Sequence, residues 1–197
     1  MKPSAHLIVF AKAPRLGAVK TRLARDVGAV QAVSFCRSAT AGLLRRVGGD
    51  PRWNTHLVVS PDRDADAGRF WPHGFARRRQ GRGDLGQRME RALKAPPPGP
   101  AVLIGNDIPD VAARHIARAF DALGDHDAVF GPASDGGFWL VGFRRRPWPN
   151  APFANVRWSG PHALADTLAN LAGRRVAMVD ELNDIDTGAD LAVWRKR

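Results

Sequence analysis

The stretch Leu7-Ile8-Val9-Phe10-Ala11-Lys12-Ala13-Pro14-Arg15-Leu16-Gly17-Ala18-Val19-Lys20-Thr21-Arg22-Leu23 decides how this chain is read. Residues 7–11 form an unbroken apolar run without alternation, the pattern of a central strand in a parallel sheet covered on both faces. The run stops at Lys12, passes through a loop holding Pro14 and Gly17, and enters a helical pattern at Thr21. A strand leading through a glycine-containing basic loop into a helix is a phosphate-binding arrangement. Free backbone N–H groups and the helix dipole favour an anion there, and lysine or arginine adds full charge. Lys12, Arg15, Lys20 and Arg22 place four cations within eleven residues, which suits a polyphosphate better than a single phosphate. A solvated basic turn is the competing reading of the same residues. The loop is neither G-x-x-x-x-G-K-[ST] nor G-x-G-x-x-G, so neither of those fingerprints applies.

A chain of 197 residues with 44% hydrophobic content can bury one good core, which predicts a single domain over residues 1–197. No segment approaches a membrane span and no long apolar leader precedes Lys12, so a soluble, cytoplasmic protein is expected. The lone cysteine, Cys36, leaves no internal disulfide and falls on an apolar helix face, where packing is its expected role. Six scattered histidines, without H-x-x-x-H spacing or cysteine partners, argue against zinc. The net charge is +11, and 25 of the 30 basic residues are arginine. Such a balance permits nucleic-acid binding. However, the runs Arg77-Arg78-Arg79 and Arg144-Arg145-Arg146 sit at expected strand ends with no recognition motif beside them. A solvated face, or a field drawing in anionic substrates, accounts for them better.

Further along, strands and helices alternate. Residues 21–47 read as a helix interrupted near Gly28 and closed by Gly48-Gly49. A strand is expected at 55–60, a short helix at 65–71 and a strand at 75–80. Gly83-Asp84-Leu85-Gly86 then enters a helix with Asp84 as its N-cap. The proline-rich connector 96–100 is too short to divide domains. Residues 101–105 are a second buried strand, and the helix beyond it carries an apolar stripe at Ala112, Ile116, Ala119 or Phe120, and Leu123. Strands at 127–131 and 138–143 flank a turn. Trp158-Ser159-Gly160-Pro161 opens a helix closed by Gly173, and a strand at 175–179 precedes a C-terminal helix. The alternation predicts an α/β fold, with a mainly parallel sheet and helices on both faces. In such sheets ligands bind beyond the carboxyl ends of the strands, which gathers the basic loop, Asp107 and Asp135 on one edge.

Three aspartates suit metal chemistry. Asp107 ends a buried strand two residues before Pro109, where a carboxylate faces the ligand edge. Mg²⁺ usually takes one or two protein carboxylates plus substrate phosphates. Asp110 is better explained as the N-cap of the following helix. Asp184 and Asp186 share one face if 183–187 is extended, and two carboxylates so placed suit a divalent cation. Capping of the last helix is their alternative, although Thr187 and Gly188 can supply that instead. Gly136-Gly137 beside Asp135 either lets backbone approach a ligand or simply makes a tight turn. Neither G-x-S-x-G nor H-E-x-x-H occurs, nor a Cys/His pair, which excludes covalent hydrolase and metalloprotease chemistry of those kinds.

Five motifs occur in order: the basic loop, Gly105-Asn106-Asp107-Ile108-Pro109, Gly131-Pro132-x-x-Asp135-Gly136-Gly137-Phe138, Trp158-Ser159, and Asp184-Ile185-Asp186-Thr187-x-x-Asp190-Leu191. Together they resemble the GT-A-like nucleotide-diphospho-sugar transferase superfamily over nearly the whole chain. Within it the likeness is to the bacterial arsenosugar biosynthesis glycosyltransferase-like group. The K-[ST]-R-L loop, D-G-G turn and D-x-D-T-x-x-D-L tail also resemble 2-phospho-L-lactate guanylyltransferase and, more distantly, molybdenum cofactor guanylyltransferase. The resemblance implies a GT-A-like three-layer sandwich and a transferase dependent on Mg²⁺ or Mn²⁺. By it, Lys20 and Arg22, with Lys12, Gly17 and Thr21 of the same loop, would hold nucleotide phosphates. Asp107 and Asp186, with Asp184, would bind the metal. Asp135, Gly136, Gly137, Trp158 and Ser159 would face the acceptor or sugar, and the segment from Gly83 to Gly86 the base or ribose. Asn106 departs from the Ser or Gly of many relatives, and the usual glycosyltransferase D-x-D is missing after residue 105. A concentrated basic loop suits a triphosphate, so nucleotidyl transfer from an NTP to a small phosphorylated or hydroxylated acceptor is the first expectation. Glycosyl transfer from a nucleotide sugar is the second, and a nucleotide-binding regulator with a degenerate site the third. The retained aspartates oppose that last reading.

Overall fold

The computed structural model describes residues 5–66 and 70–196. β1 (Ala5–Lys12) lies inside a seven-stranded sheet and pairs in parallel with β2 (Trp53–Ser60) on one side and β4 (Ala101–Gly105) on the other. β3 (Ala76–Arg79) adds a parallel edge beyond β2. On the far side β6 (Phe138–Phe143) runs antiparallel between β4 and β5 (Ala128–Pro132), and β7 (Val176–Met178) pairs in parallel with β5. The order is β3-β2-β1-β4-β6-β5-β7. β6 reverses because the short turn after β5 cannot make the crossover of a dozen or so residues that a parallel return needs.

The helices are α1 (Thr21–Val27), α2 (Ala29–Leu43), α3 (Arg63–Asp66), α4 (Leu85–Lys94), α5 (Ala113–Asp125), α6 (Ala163–Ala169) and α7 (Gly188–Trp194), with a π-helical turn over Leu44–Gly48. They cover both faces, and β1 shows why its sequence does not alternate. Leu7, Val9 and Ala11 join one core with Leu43, Val47, Ile116 and Leu123 from α2, the π turn and α5. Ile8 and Phe10 join the opposite core with Met89, Ala92 and Leu93 of α4. Each fully buried aliphatic side chain of this kind contributes roughly 1.5–3 kcal/mol. A small third cluster of Leu23, Ala32, Ile185 and Leu191 ties α1 and α2 to α7 and the segment before it.

Several local expectations shift. The helix expected over 21–47 divides at Gly28, whose φ of 87° no ordinary helical residue adopts. Asp84 caps α4 through a reciprocal pair of bonds with Gln87. Asp110 does not cap α5. A turn closed by Val111 N–H to the Ile108 carbonyl (3.3 Å) buries both side chains and delays the helix, so Ala112 takes the cap position. Its N–H donates to His115 Nδ1 at 3.1 Å, and Asp110 instead accepts from Trp194 Nε1 at 3.2 Å. The helix expected at 65–71 begins earlier, at Arg63, and positions 67–69 of it lie outside the described residues. Trp158 to Pro161 remain a turn ahead of α6, which ends at Ala169 rather than reaching Gly173.

The two arginine runs differ from each other. Arg77, Arg78 and Arg79 lie in the strand expected at 75–80 and are the exposed body of β3, a solvated face where charge discourages pairing with another edge. In the second run, Arg144 donates to the Leu123 carbonyl (3.1 Å) and to that of Gly124 at the end of α5. Arg145 donates to the carbonyls of Lys94, Pro96, Pro97 and Gly99. These two side chains close connections and are not a solvated face.

Near the amino end of β1, His6 Nδ1 lies 3.2 Å from Nε2 of His56, midway along β2. Burial, and then the charges of Arg145 and Arg78, lower the pKa of His6. Burial, Arg78 and His6 bring His56 from its ordinary 6.5 down to about 4. The unfolded chain therefore takes up protons that the folded one refuses. This contribution to stability is complete above pH 6.5 and is lost as pH falls toward 4. Allowing for solvent screening, a loss of about 2 kcal/mol is expected across that window. Urea unfolding at stepped pH checks it, and His56→Leu should remove most of the slope.

Candidate active site

Lys20 stands at the centre of the site. Its backbone adopts the left-handed region (φ 44°, ψ 51°) immediately before α1, a costly conformation for a non-glycine residue. Its ammonium lies 2.6 Å from Asp186 Oδ1, 2.7 Å from Asp107 Oδ2 and 3.2 Å from Asp184 Oδ2. Asp107 arrives from the end of β4, where Gly105 leaves room for it: a Cβ there would come within 2.9 Å of Asp107 Oδ1. Asp184 and Asp186 flank Ile185, which is buried in the third cluster, and side chains alternate along extended chain. Ile185 therefore points inward and its neighbours reach Lys20. Thr187 caps α7, and Asp190 accepts from Asp186 N–H (3.1 Å) and from Thr187 N–H (2.8 Å) and hydroxyl (2.7 Å), which fixes that backbone. Gly188 N–H donates to Asp26 Oδ2 at 2.7 Å and docks the tail on α1.

Three carboxylates face one sheltered ammonium. Burial works against the charge on Lys20, but the charges of Asp107 and Asp184, with the hydrogen bonds Lys20 donates to Asp107 and Asp186, outweigh it and raise its pKa well above the ordinary value. Burial and the repulsion of Asp107 and Asp186 raise Asp184 despite Lys20. Asp186 is lowered: burial opposes this, and the Lys20 hydrogen bond and charge prevail. Arg22 Nη1 approaches Asp186 Oδ2 at 3.4 Å while remaining mostly exposed. Among the described residues, no three His, Cys, Asp or Glu side chains surround a metal centre of their own. The acidic cluster is centred on Lys20 Nζ. Its donor chemistry still fits Mg²⁺ or Mn²⁺, since hard carboxylate oxygens stand beside a cationic cavity that would supply phosphate oxygens.

Three cavities meet at Asp107. One, of about 510 Å³, lies under the basic loop and is lined by Lys12, Lys20, Thr21, Arg22, Asn106 and Asp186. A second of about 510 Å³ has an apolar floor that includes Phe10, Leu103 and Met89, with Gln80, Arg88 and Asn106 as polar lining. The third, about 270 Å³, brings Asp135, Gly137, Trp139, Trp158, Ser159 and Asp184 together. Of the four loop cations, Arg15 is committed elsewhere. It pairs with the fully buried Asp64, Nε donating to Oδ2 at 2.8 Å, and anchors the loop. α1 has only seven residues, so the cations carry more of any phosphate attraction than its dipole does.

Gly17, Gly83 and Gly86 do not line these cavities. Gly17 and Gly83 occupy positive-φ turns, and Gly86 is packed so closely on Phe153 and Trp158 that a Cβ would meet Phe153 Cβ at 2.7 Å. Gly136 makes the turn, at a φ of 82°, and does not line the cavity. Gly137, which receives the Asp135 carboxylate on its N–H at 2.9 Å, faces the cavity. Sequence reading singled out neither Gln80 nor Arg88, and noted Asn106 only as a departure from relatives. Gln80 Nε2 donates to the Val58 carbonyl (3.2 Å) and Oε1 accepts from Arg88 (2.7 Å); Asn106 donates to the Thr40 hydroxyl (2.7 Å). Gln80 and Asn106 stand just past the ends of β3 and β4, whereas Arg88 lies within α4. Cys36 also borders the first cavity, and burial pushes its thiol up to about 11, so it is no nucleophile at neutral pH.

A mostly parallel sheet with cationic and acidic side chains converging past β1 and β4 places the chain in the nucleotide-diphospho-sugar transferase fold, which nucleotidyltransferases share. A structure from Desulfovibrio desulfuricans G20 described as a "putative nucleotide-diphospho-sugar transferase" superposes with a TM-score of 0.87 at 28% identity, covering 98% of this chain and 87% of that one. The 4-diphosphocytidyl-2C-methyl-D-erythritol synthase of Anaerococcus prevotii DSM 20548 shares the fold at TM-score 0.63 and 13% identity, covering 99% of each chain. Rv0371c of Mycobacterium tuberculosis H37Rv, in complex with manganese, does so at TM-score 0.58 and 18% identity, covering all of both chains. No curated protein matches the sequence. The chain belongs to the family described as "uncharacterized protein conserved in bacteria" (DUF2064), whose model matches residues 43–160. That span includes Asp107 and the Asp135-Gly136-Gly137 turn but neither Lys20 nor Asp186.

Proposed function

We propose that the protein is a divalent-metal-dependent transferase that moves a nucleotidyl group from an NTP to a small phosphorylated or hydroxylated acceptor. The observation that carries this reading is the meeting of three cavities at Asp107, beside Lys20 and Asp186. Lys12, Lys20 and Arg22 bind the phosphates, and the apolar-floored cavity beside Gln80 and Arg88 takes the nucleoside. The aromatic cavity between Asp135 and Trp158 holds the acceptor and keeps water from its attacking oxygen. Asp107 and Asp186, with Asp184, hold Mg²⁺ or Mn²⁺. A cation so held neutralises phosphate charge and orients the oxygens. The protein's work is then positioning and electrostatic stabilisation at the α-phosphate, with pyrophosphate leaving toward the cationic loop.

The similarity to the Desulfovibrio protein favours a second reading, glycosyl transfer from a nucleotide sugar at the same site. A thermal-shift screen of NTPs and nucleotide sugars, with and without Mg²⁺, tests both. At a hundredfold excess over Kd a ligand stabilises the fold by about 2.7 kcal/mol, enough to rank candidates. Pyrophosphate release then marks nucleotidyl transfer and nucleoside diphosphate release marks glycosyl transfer. Stabilisation by neither ligand class sinks both readings.

A further inference from the structure

Lys20 lines the phosphate cavity and also fills the acidic cluster, so one flexible side chain joins the two halves of the site. We propose that Lys20 is the exchangeable counter-cation of Asp107, Asp184 and Asp186. Its ammonium closes the cluster when no metal is bound, and it must withdraw before a divalent cation is held, which couples metal loading to the arrival of a polyphosphate. The inference rests on the metal- and nucleotide-binding reading above and assigns Lys20 a positioning role within it.

Competition for the same oxygens carries the argument. The ammonium sits 2.7 Å from Asp107 Oδ2 and 2.6 Å from Asp186 Oδ1. Mg²⁺ bound by those carboxylates at about 2.0–2.1 Å would press against it, with two cations repelling at close range. The cluster tolerates the exchange because three carboxylates against one ammonium leave it net negative. Solvent does not loosen the pairing, since only 8% of the Lys20 side chain is exposed. The ammonium also has somewhere to go. The cavity of about 510 Å³ beside it is lined by Lys12, Thr21 and Arg22. A four-carbon stem can swing the ammonium from carboxylate to phosphate without moving the backbone. A polyphosphate entering there draws Lys20 off the cluster and offers oxygens to the metal. Each ligand then raises the affinity of the other, by the same factor in both directions.

The test uses Mn²⁺ alone as the probe, with unbound Mn²⁺ followed by electron paramagnetic resonance over the intact protein. Wild type should bind weakly, and Lys20→Gln and Lys20→Met at least about tenfold more tightly, because a competing like charge has gone. Adding Asp186→Asn to Lys20→Gln should abolish the gain. Circular dichroism and urea midpoints establish that the variants are folded. Tight Mn²⁺ binding by wild type, or no gain in the folded variants, overturns the proposal. Should the variants not fold, nitrogen-detected NMR of the wild-type lysine ammonium groups decides. A slowly exchanging Lys20 signal lost on Mg²⁺ saturation supports displacement, and one unchanged at saturation refutes it. No nucleotide enters these measurements, so a protein that binds no nucleotide sinks the proposed function while leaving this outcome readable.

Discussion

Asp107→Asn is expected to lower kcat/KM by about 10²–10³-fold while leaving the fold intact, the scale of losing one preorganised charge-stabilising group. Asp107 is the side chain common to the three cavities, and it reaches Lys20 Nζ at 2.7 Å. An amide of the same shape keeps a polar contact but loses the charge and most of the capacity to ligate a hard cation. Stability should change little, because Asp184 and Asp186 still pair with Lys20 and carboxylate repulsion is relieved. Calorimetry of Mg²⁺-nucleotide binding, together with a thermal melt, checks both halves. Binding unaltered from wild type would remove Asp107 from the site. Asp110→Asn is the control, since Asp110 is engaged with Trp194 near α7.

Gly136→Ala should cost roughly 2–5 kcal/mol, the sum of a left-handed backbone and an overpacked contact. Gly136 has a φ of 82°, and a Cβ would fall 2.6 Å from both Cα and the carbonyl carbon of Pro161. Those are backbone atoms that cannot rotate away. The turn is also fixed from within, with Gly136 N–H donating to the Ala133 carbonyl and Ala133 N–H to that of Gly137, both at 3.1 Å. Leu164 N–H donates to the Gly136 carbonyl at 3.0 Å, so relief of the clash must move the start of α6. Trp158 and Ser159, on the same connection, would shift with it and open the aromatic cavity. Urea unfolding measures the stability loss. Gly137→Ala should be milder, because the nearest atom to its Cβ is the Asp135 carboxylate, which can turn aside. Equal midpoints for Gly136→Ala and wild type would refute the packing account.

The elements most legible in the sequence were those with one local cause. The unalternating run of β1, the Asp84 cap and the break at Gly28 each follow from a few adjacent residues. Asp110 was misread because capping chemistry was right for an aspartate before a helix, while burial of Ile108 and Val111 delayed the helix start. Arg144 and Arg145 were misread because an arginine run carries the same local signal whether it meets solvent or carbonyls distant in sequence, and Pro96 and Pro97 lie nearly fifty residues before Arg145. Gln80 and Arg88 gave too weak a signal to single out.

By itself the sequence determined the α/β class, the strand that begins the basic loop, and the residue types gathered past the strand ends, because periodicity and turn chemistry are local. Tertiary structure decided which charges face one another. Lys20 and Asp186 are 166 residues apart, and burial of Ile185 and Leu191 against Leu23 and Ala32, with the Gly188 N–H on Asp26, brings the tail to the loop. Tertiary structure likewise removed Arg15 from the cavity under the basic loop by pairing it with Asp64, 49 residues away, and put the Lys20 ammonium among the carboxylates. Charge energies depend on distance and burial, and neither is set until the chain has packed.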